Sequence, residues 1–242
     1  MGFPPPRLHG QIGPRPARLS NHGSRARRPS MIKVYNFARG ARGLRVMWQC
    51  EEMGVPYQVE MVSFPPSEAY LALHPLGTVP FLEDEGGVAI HESVAMMLYV
   101  AQHYGPTPLL PGKGDPALAR VLQMAVFGEA TLGAAVNALL TAHFGAPEAD
   151  KRNWSVRAHE ASVEKALRFT ADMLGDMPFL AGEGLTLADI SVSTAIGIYR
   201  GALGKTLPDE LVAYQERIAA RPEYQRARAR CRELRSDGGA PS

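Results

Sequence analysis

The sequence predicts a mixed α/β unit followed by an all-helical unit in one chain. Three observations carry that reading. Between residues 31 and 106 the apolar spacing switches repeatedly between a period of two and a helical period. A run rich in proline and glycine, Gly105-Pro106-Thr107-Pro108 through Pro111-Gly112-Lys113-Gly114, then punctuates the chain. Beyond it every strong period is helical. The 242 residues, 45% hydrophobic and 21% charged, have an ordinary globular composition and the length of one large or two small domains.

Taken in order, Ile32 to Tyr35 alternate and read as a first strand, followed by a Gly- and Arg-rich loop from Ala38 to Gly43. Leu44 to Met53 reads as a helix stopped by Gly54 and Pro56. Tyr57 to Val62 alternates again, Pro65-Pro66 breaks it, and a short helix spans Ser67 to Leu73. Val79 to Leu82 reads as a brief strand, and Pro80 argues for an edge position because it has no N–H for the ladder. The turn Asp84-Glu85-Gly86-Gly87 leads into a hairpin partner, Val88 to Ile90, and Ser93 to Tyr104 is a helix. In the second half, residues 116–142 read as one long apolar helix and 153–175 as another. Leu187 to Tyr199 is nearly uncharged and reads as buried, Leu211 to Ala220 is shorter, and Pro222 opens the last helix. The expected organisation is a leader over 1–30, a sheet unit over 31–106, a linker over 107–113, a helical unit over 114–234 and a tail over 235–242.

Charge is unevenly placed. The whole chain carries +2 and residues 1–30 carry +6, from Arg7, Arg15, Arg18, Arg25, Arg27 and Arg28, so residues 31–242 carry −4. The acidic body gives no reason to expect a nucleic-acid partner. The leader, with six of the 20 prolines, has the composition of a disordered tail, with a transit peptide or a phosphate-binding arm as alternatives. The chain lacks the roughly 18 uninterrupted apolar residues of a membrane span. Cys50 and Cys231 are too few for a disulfide scaffold or a cysteine zinc site, which suits a reducing, cytoplasmic setting. His91-Glu92 and His159-Glu160 lack the second histidine of a zinc helix, and Gly112-Lys113 lacks the rest of a phosphate loop. No metal is expected.

One constellation survives these tests. The backbone of Val79 can pair with an extended peptide as an added strand does. Glu92-Ser93 sits where a strand turns into a helix. There Ser93 and the first helical N–H groups favour a carboxylate, and Glu92 accepts from an ammonium. Together they complement the zwitterionic head of an amino acid; the competing reading is a plain helix cap.

At this point a family resemblance becomes visible. Val34-Tyr35, Arg45-Val46-x-Trp48, Glu51-Glu52-x-Gly54-x-Pro56-Tyr57, Pro75-x-Gly77-x-Val79-Pro80 and Glu92-Ser93 resemble the thioredoxin-like domain of cytosolic glutathione transferases, of bacterial type. Phe179-Leu180-Ala181-Gly182 and Leu185-Thr186-Leu187-Ala188-Asp189-Ile190 resemble the family's signature in its all-α helical-bundle domain. The resemblance runs in order over residues 31–232. It implies a cis Pro80, a Val79 backbone that pairs with the cysteinyl part of glutathione, and a Glu92-Ser93 pair that holds the γ-glutamyl group. Thr78 stands where many members carry a lysine or related polar group for the glycyl end. Thr186 and Asp189 match a helix-capping box, a structural role that their spacing also supports.

The implied chemistry needs the glutathione thiol as thiolate, although a free thiol has a pKa of about 8.5. The loop after the first strand offers neither Ser nor Cys. Tyr35 is the first candidate, as a phenol that donates to the thiolate, with Arg39 or Arg42 supplying positive field; Asn36 is a weaker donor candidate. The competing reading of Tyr35 is simple packing under the helix. The second substrate, an apolar electrophile, should sit between the two units, lined by Phe37, Phe127 and Tyr199, with Leu132 and Phe144 also near. The resemblance implies a detoxifying transferase acting as a homodimer, with Phe64 and Tyr70 as contact candidates. Alternatives on the same scaffold are a glutathione-dependent isomerase, dehalogenase or ether-cleaving lyase, or a non-catalytic binding protein.

Overall fold

A computed structural model describes residues 31–37 and 42–233. The expectations for the leader, the tail and Arg39 lie outside the described residues. The sheet half is built from β1 (Ile32–Asn36), α1 (Gly43–Met53), β2 (Tyr57–Met61), α2 (Glu68–Leu73), β3 (Phe81–Asp84), β4 (Val88–His91) and α3 (Ser93–His103). The helical half follows as α4 (Ala117–Ala130), α5 (Leu132–Gly145), α6 (Trp154–Leu174), α7 (Leu187–Leu203), α8 (Asp209–Ala219) and α9 (Pro222–Glu233). An α/β thioredoxin-like half followed by a helical bundle is the observed architecture.

The sheet runs in the order β2-β1-β3-β4. Strands β1 and β2 are parallel, whereas β1–β3 and β3–β4 are antiparallel. Strand parity divides the side chains between two faces. Ile32 and Val34 are fully buried in the main core with Trp48 on α1 and Met97 on α3. Tyr35 and Phe81, paired in register, instead join Val62 and Tyr70 in a separate cluster beneath α2. Two expectations change here. Strand β3 is internal, and Val79-Pro80 precedes it rather than lying within an edge strand; a proline ahead of the first ladder residue leaves every ladder bond intact. Tyr70, taken as a surface contact, is buried and donates its hydroxyl to the Thr78 carbonyl at 2.6 Å.

The long apolar stretch over 116–142 folds as two helices, with Thr131 (φ −106°, ψ −65°) at the joint. A helical period without proline gives no sign of that joint. Taken together, Ala117–Gly145 is the one stretch among the described residues long and apolar enough to cross a membrane, and 44% of its most apolar window is buried against the rest of the fold. Gly128 lets α4 approach α7 closely: a Cβ there would lie 2.5 Å from Ser191 Oγ and 2.8 Å from the backbone of Val192. The first ten residues of α7 are buried, which is why that segment carries almost no charge.

The start of α7 is fixed by a capping box between Thr186 and Asp189. Asp189 accepts from the Thr186 N–H (2.8 Å), the Thr186 hydroxyl (2.9 Å), the Leu180 N–H (2.8 Å) and the Tyr214 hydroxyl (3.0 Å). A buried carboxylate is tolerable because its lone pairs are filled in this way. Helix α9 lies against α1, where Trp48 meets Tyr224 edge to face at 5.0 Å and Glu51 binds Arg226 and Arg230. A single apolar core runs from Ile32 to Cys231 and joins the two halves.

Candidate functional site

The site begins where β4 hands the chain to α3. Glu92 has φ 71° and ψ 104°, the one non-glycine positive φ among the described residues. Such a conformation costs about 1–3 kcal/mol and persists where the surroundings impose it, commonly at functional sites. Its carboxylate makes no cap and is exposed, so the plain-cap reading does not describe it. Ser93, the next residue, is 2% exposed and opens the helix. Val79-Pro80 is a cis peptide, and among the described residues neither the N–H nor the C=O of Val79 has a hydrogen-bond partner. Burial without pairing is uncommon for backbone groups, so this half-buried peptide is ready to pair with an extended ligand.

Behind Ser93 stands Arg45 of α1, 1% exposed. Its Nη1 donates to Ser93 Oγ at 2.9 Å and to Glu129 Oε2. Its Nη2 donates to the carbonyls of Gly128 and Ser191, each at 3.0 Å. Arg42, which precedes α1, places its Nε 2.8 and 2.9 Å from the two oxygens of Glu129. Burial pulls the Arg45 guanidinium below its ordinary pKa, with Glu129 opposing. Burial also resists ionisation of Glu129, but Arg45 and Arg42 outweigh it and hold that carboxyl below the usual range. The cluster thus holds two guanidiniums against one carboxylate. In the sequence Arg45 is visible only as part of a motif, and Glu129 carries no mark of its role. The available signal is an arginine inside the otherwise apolar run Leu44–Trp48, but its partners in the helical half lie 83 residues or more further along the chain.

The thiol-activating candidates fall in different places. Tyr35 donates its hydroxyl to Glu83 Oε2 at 2.5 Å, and burial and that carboxylate push the phenol up. Its proton is therefore engaged on the α2 side of the sheet rather than free for a thiol. Arg42 borders the cleft between the two halves. Thr78, expected near the glycyl end, has its Oγ1 3.0 Å from His74 Nε2.

The proposed lining of the second-substrate pocket is not brought together. Phe37 stacks edge to face on Phe64 at 5.7 Å. Phe127 packs against Phe169 of α6 at 5.1 Å, and Tyr199 borders a separate hollow with Leu167 and Leu207. Leu132 is buried core and Phe144 is exposed. The cleft beside the arginines is instead walled by Val136, Leu140, Ala195 and Ile198, with Asn137 at hand. This hollow beside the arginines is about 10 Å³, room for roughly one water, and its walls are aliphatic. Among the described residues no three His, Cys, Asp or Glu side chains gather as a metal site. Cys50 and Cys231 are buried free thiols, and burial pushes both thiols up, so neither offers a ready thiolate.

Comparison with known proteins agrees with this fold. Residues 42–103 match the family profile of the glutathione S-transferase N-terminal domain, and residues 136–226 match that of its C-terminal domain. Glutathione S-transferase F9 of Arabidopsis thaliana is 28% identical over 210 residues, covering 80% of this chain and 94% of that protein. Elongation factor 1-gamma of Artemia salina is 29% identical over 177 residues, 71% of this chain, and the chain spans only 39% of that relative's length. The crystal structure of the glutathione transferase URE2P8 from Phanerochaete chrysosporium with oxidized glutathione shares the fold, at a TM-score of 0.74 and 22% identity over 87% of this chain and 99% of that one. With both halves matched in order and the fold shared over nearly its full described length, the chain belongs to the cytosolic glutathione S-transferase family.

Proposed function

We propose that the chain binds glutathione at the start of α3 and conjugates it, through the cysteinyl sulfur, to an apolar electrophile at the cleft between the two halves. The observation that carries this reading is the convergence at one helix start of a buried serine hydroxyl, an exposed carboxylate on a strained backbone and, from the neighbouring loop, an unpaired peptide at Val79. Ser93 and the α3 N-terminus suit the γ-glutamyl carboxylate, Glu92 suits the ammonium, and Val79 suits the cysteinyl amide and carbonyl. The thiol loses its proton to solvent, the thiolate attacks the electrophilic carbon, and the leaving group departs with the bonding pair. Arg42 and the N-terminus of α1 favour the thiolate electrostatically. Val136, Leu140 and Ile198 favour an apolar second substrate. A homodimer formed through the exposed Phe64 and Leu76 and a detoxifying role in the cytoplasm complete the reading.

Calorimetric titration with glutathione, followed by turnover of a chlorodinitrobenzene, tests it. Binding with conjugation supports the reading, and no binding overturns it. The engagement of Tyr35 by Glu83 and the likeness to a protein named as an elongation factor favour a second reading, a glutathione-binding chain without turnover. Binding without turnover of aryl halides, alkyl halides or aryl ethers would select it. Turnover of the ethers or the alkyl halides alone would select a lyase or dehalogenase.

A further inference from the structure

Arg45 belongs to α1, yet every hydrogen bond its side chain makes leaves that helix. One goes to Ser93 in the sheet half, and the others go to Glu129, Gly128 and Ser191 in the helical half. Its Nε, also buried, has no partner. A guanidinium only donates, whereas a serine hydroxyl has one proton and two lone pairs. The Arg45–Ser93 bond therefore has a fixed polarity: Ser93 accepts, and its own proton remains to be donated elsewhere. No described residue takes that proton. We propose that Arg45 is a positioning residue for glutathione, one that makes the Ser93 hydroxyl an obligate donor to the γ-glutamyl carboxylate. The proposal rests on the reading that glutathione binds at this helix start.

Two further features support it. The guanidinium is held from behind by two carbonyls and a carboxylate, so it presents one orientation to Ser93. The cluster also carries one positive charge more than Glu129 neutralises, and no other described acid joins it. The surplus positive charge, shared with the partly exposed Arg42, attracts an incoming carboxylate in addition to the α3 N-terminus.

A side chain that merely joins the halves would affect all ligands alike. The test therefore compares two probes by calorimetry on the full chain: glutathione, and γ-aminobutyryl-cysteinyl-glycine, which lacks only the γ-glutamyl carboxylate. Wild type should prefer glutathione, and Arg45→Met should cut that preference by roughly tenfold or more, the range of a hydrogen bond to a charged group. Arg45→Met keeps most of the volume and leaves Glu129 paired with Arg42. Ser93→Ala should lose the preference too, and the double variant should lose no more than either single one. Equal weakening of both probes in Arg45→Met, or additive losses in the double variant, would overturn the proposal. Full preference retained in Ser93→Ala would overturn it as well, whether or not Arg45→Met folds. Wild type that binds neither probe would instead overturn the glutathione reading itself.

Discussion

Arg221 holds Glu52 through two parallel bonds, Nε to Oε1 at 2.6 Å and Nη2 to Oε2 at 2.7 Å. The same carboxylate accepts Trp48 Nε1 at 2.8 Å, so the indole that meets Tyr224 is fixed by the pair that ties the α8–α9 junction to α1. The hydrogen bonds to Glu52 push the Arg221 guanidinium up. A fork of this kind is lost even to lysine, which cannot offer two coplanar donors. Glu52→Gln should lower stability by about 1–3 kcal/mol, and Arg221→Lys should lose a large part of the same amount. Urea denaturation checks both, and an unchanged midpoint in Glu52→Gln would mean that the apolar α1–α9 contact suffices alone.

Gly43 tests how tightly β1 and α1 are fitted. A Cβ there would lie 2.4 Å from the Cγ of the fully buried Asn36. Gly43→Ala improves helix propensity but overpacks this contact, and should destabilise by about 1–3 kcal/mol. Adding Asn36→Ala should return part of the loss by opening the space. Equilibrium unfolding of the three variants distinguishes this from a general intolerance of the helix start.

Acid stability should pass through Glu129. Its folded pKa lies below its unfolded one, so its contribution is complete above the unfolded value and vanishes as pH falls through the folded value. Glu129→Gln should be destabilised at neutral pH, and its gap to wild type should close below about pH 4, beneath the unfolded carboxyl pKa. Urea midpoints measured down the acid range would show the closing gap. A constant gap would assign the effect to packing.

Thiol activation separates Arg42 from Tyr35. In the glutathione complex, Arg42→Gln should raise the thiol pKa by about one unit, as expected from removing a nearby opposite charge. Tyr35→Phe should leave it unchanged, because that hydroxyl serves Glu83. Ultraviolet titration of thiolate absorbance reads both. A shift in Tyr35→Phe alone would return the role to the phenol.

Much of the fold is legible because periodicity is a local signal. The alternation of Ile32 to Tyr35, the stop at Gly54 and the capping spacing of Thr186 and Asp189 all announce elements that form. The joint at Thr131 is not legible, since no proline or turn residue marks it and the close approach at Gly128 is tertiary. The positions of Val79, Glu92 and Ser93 can be read from sequence, whereas their supports cannot. Arg45 finds Glu129 across 84 residues, and the face on which Tyr35 falls is decided by what α2 and Glu83 cover. The aliphatic cleft walls are invisible for the same reason: Val136 and Ile198 look like any core positions until α5 and α7 are seen side by side.

The most direct measurement is a crystal structure of the protein soaked with glutathione. It should show the γ-glutamyl carboxylate within hydrogen-bond distance of Ser93 Oγ, the ammonium on Glu92 and the cysteinyl backbone paired with Val79. A tripeptide bound elsewhere, or absent at saturating concentration, would contradict the account.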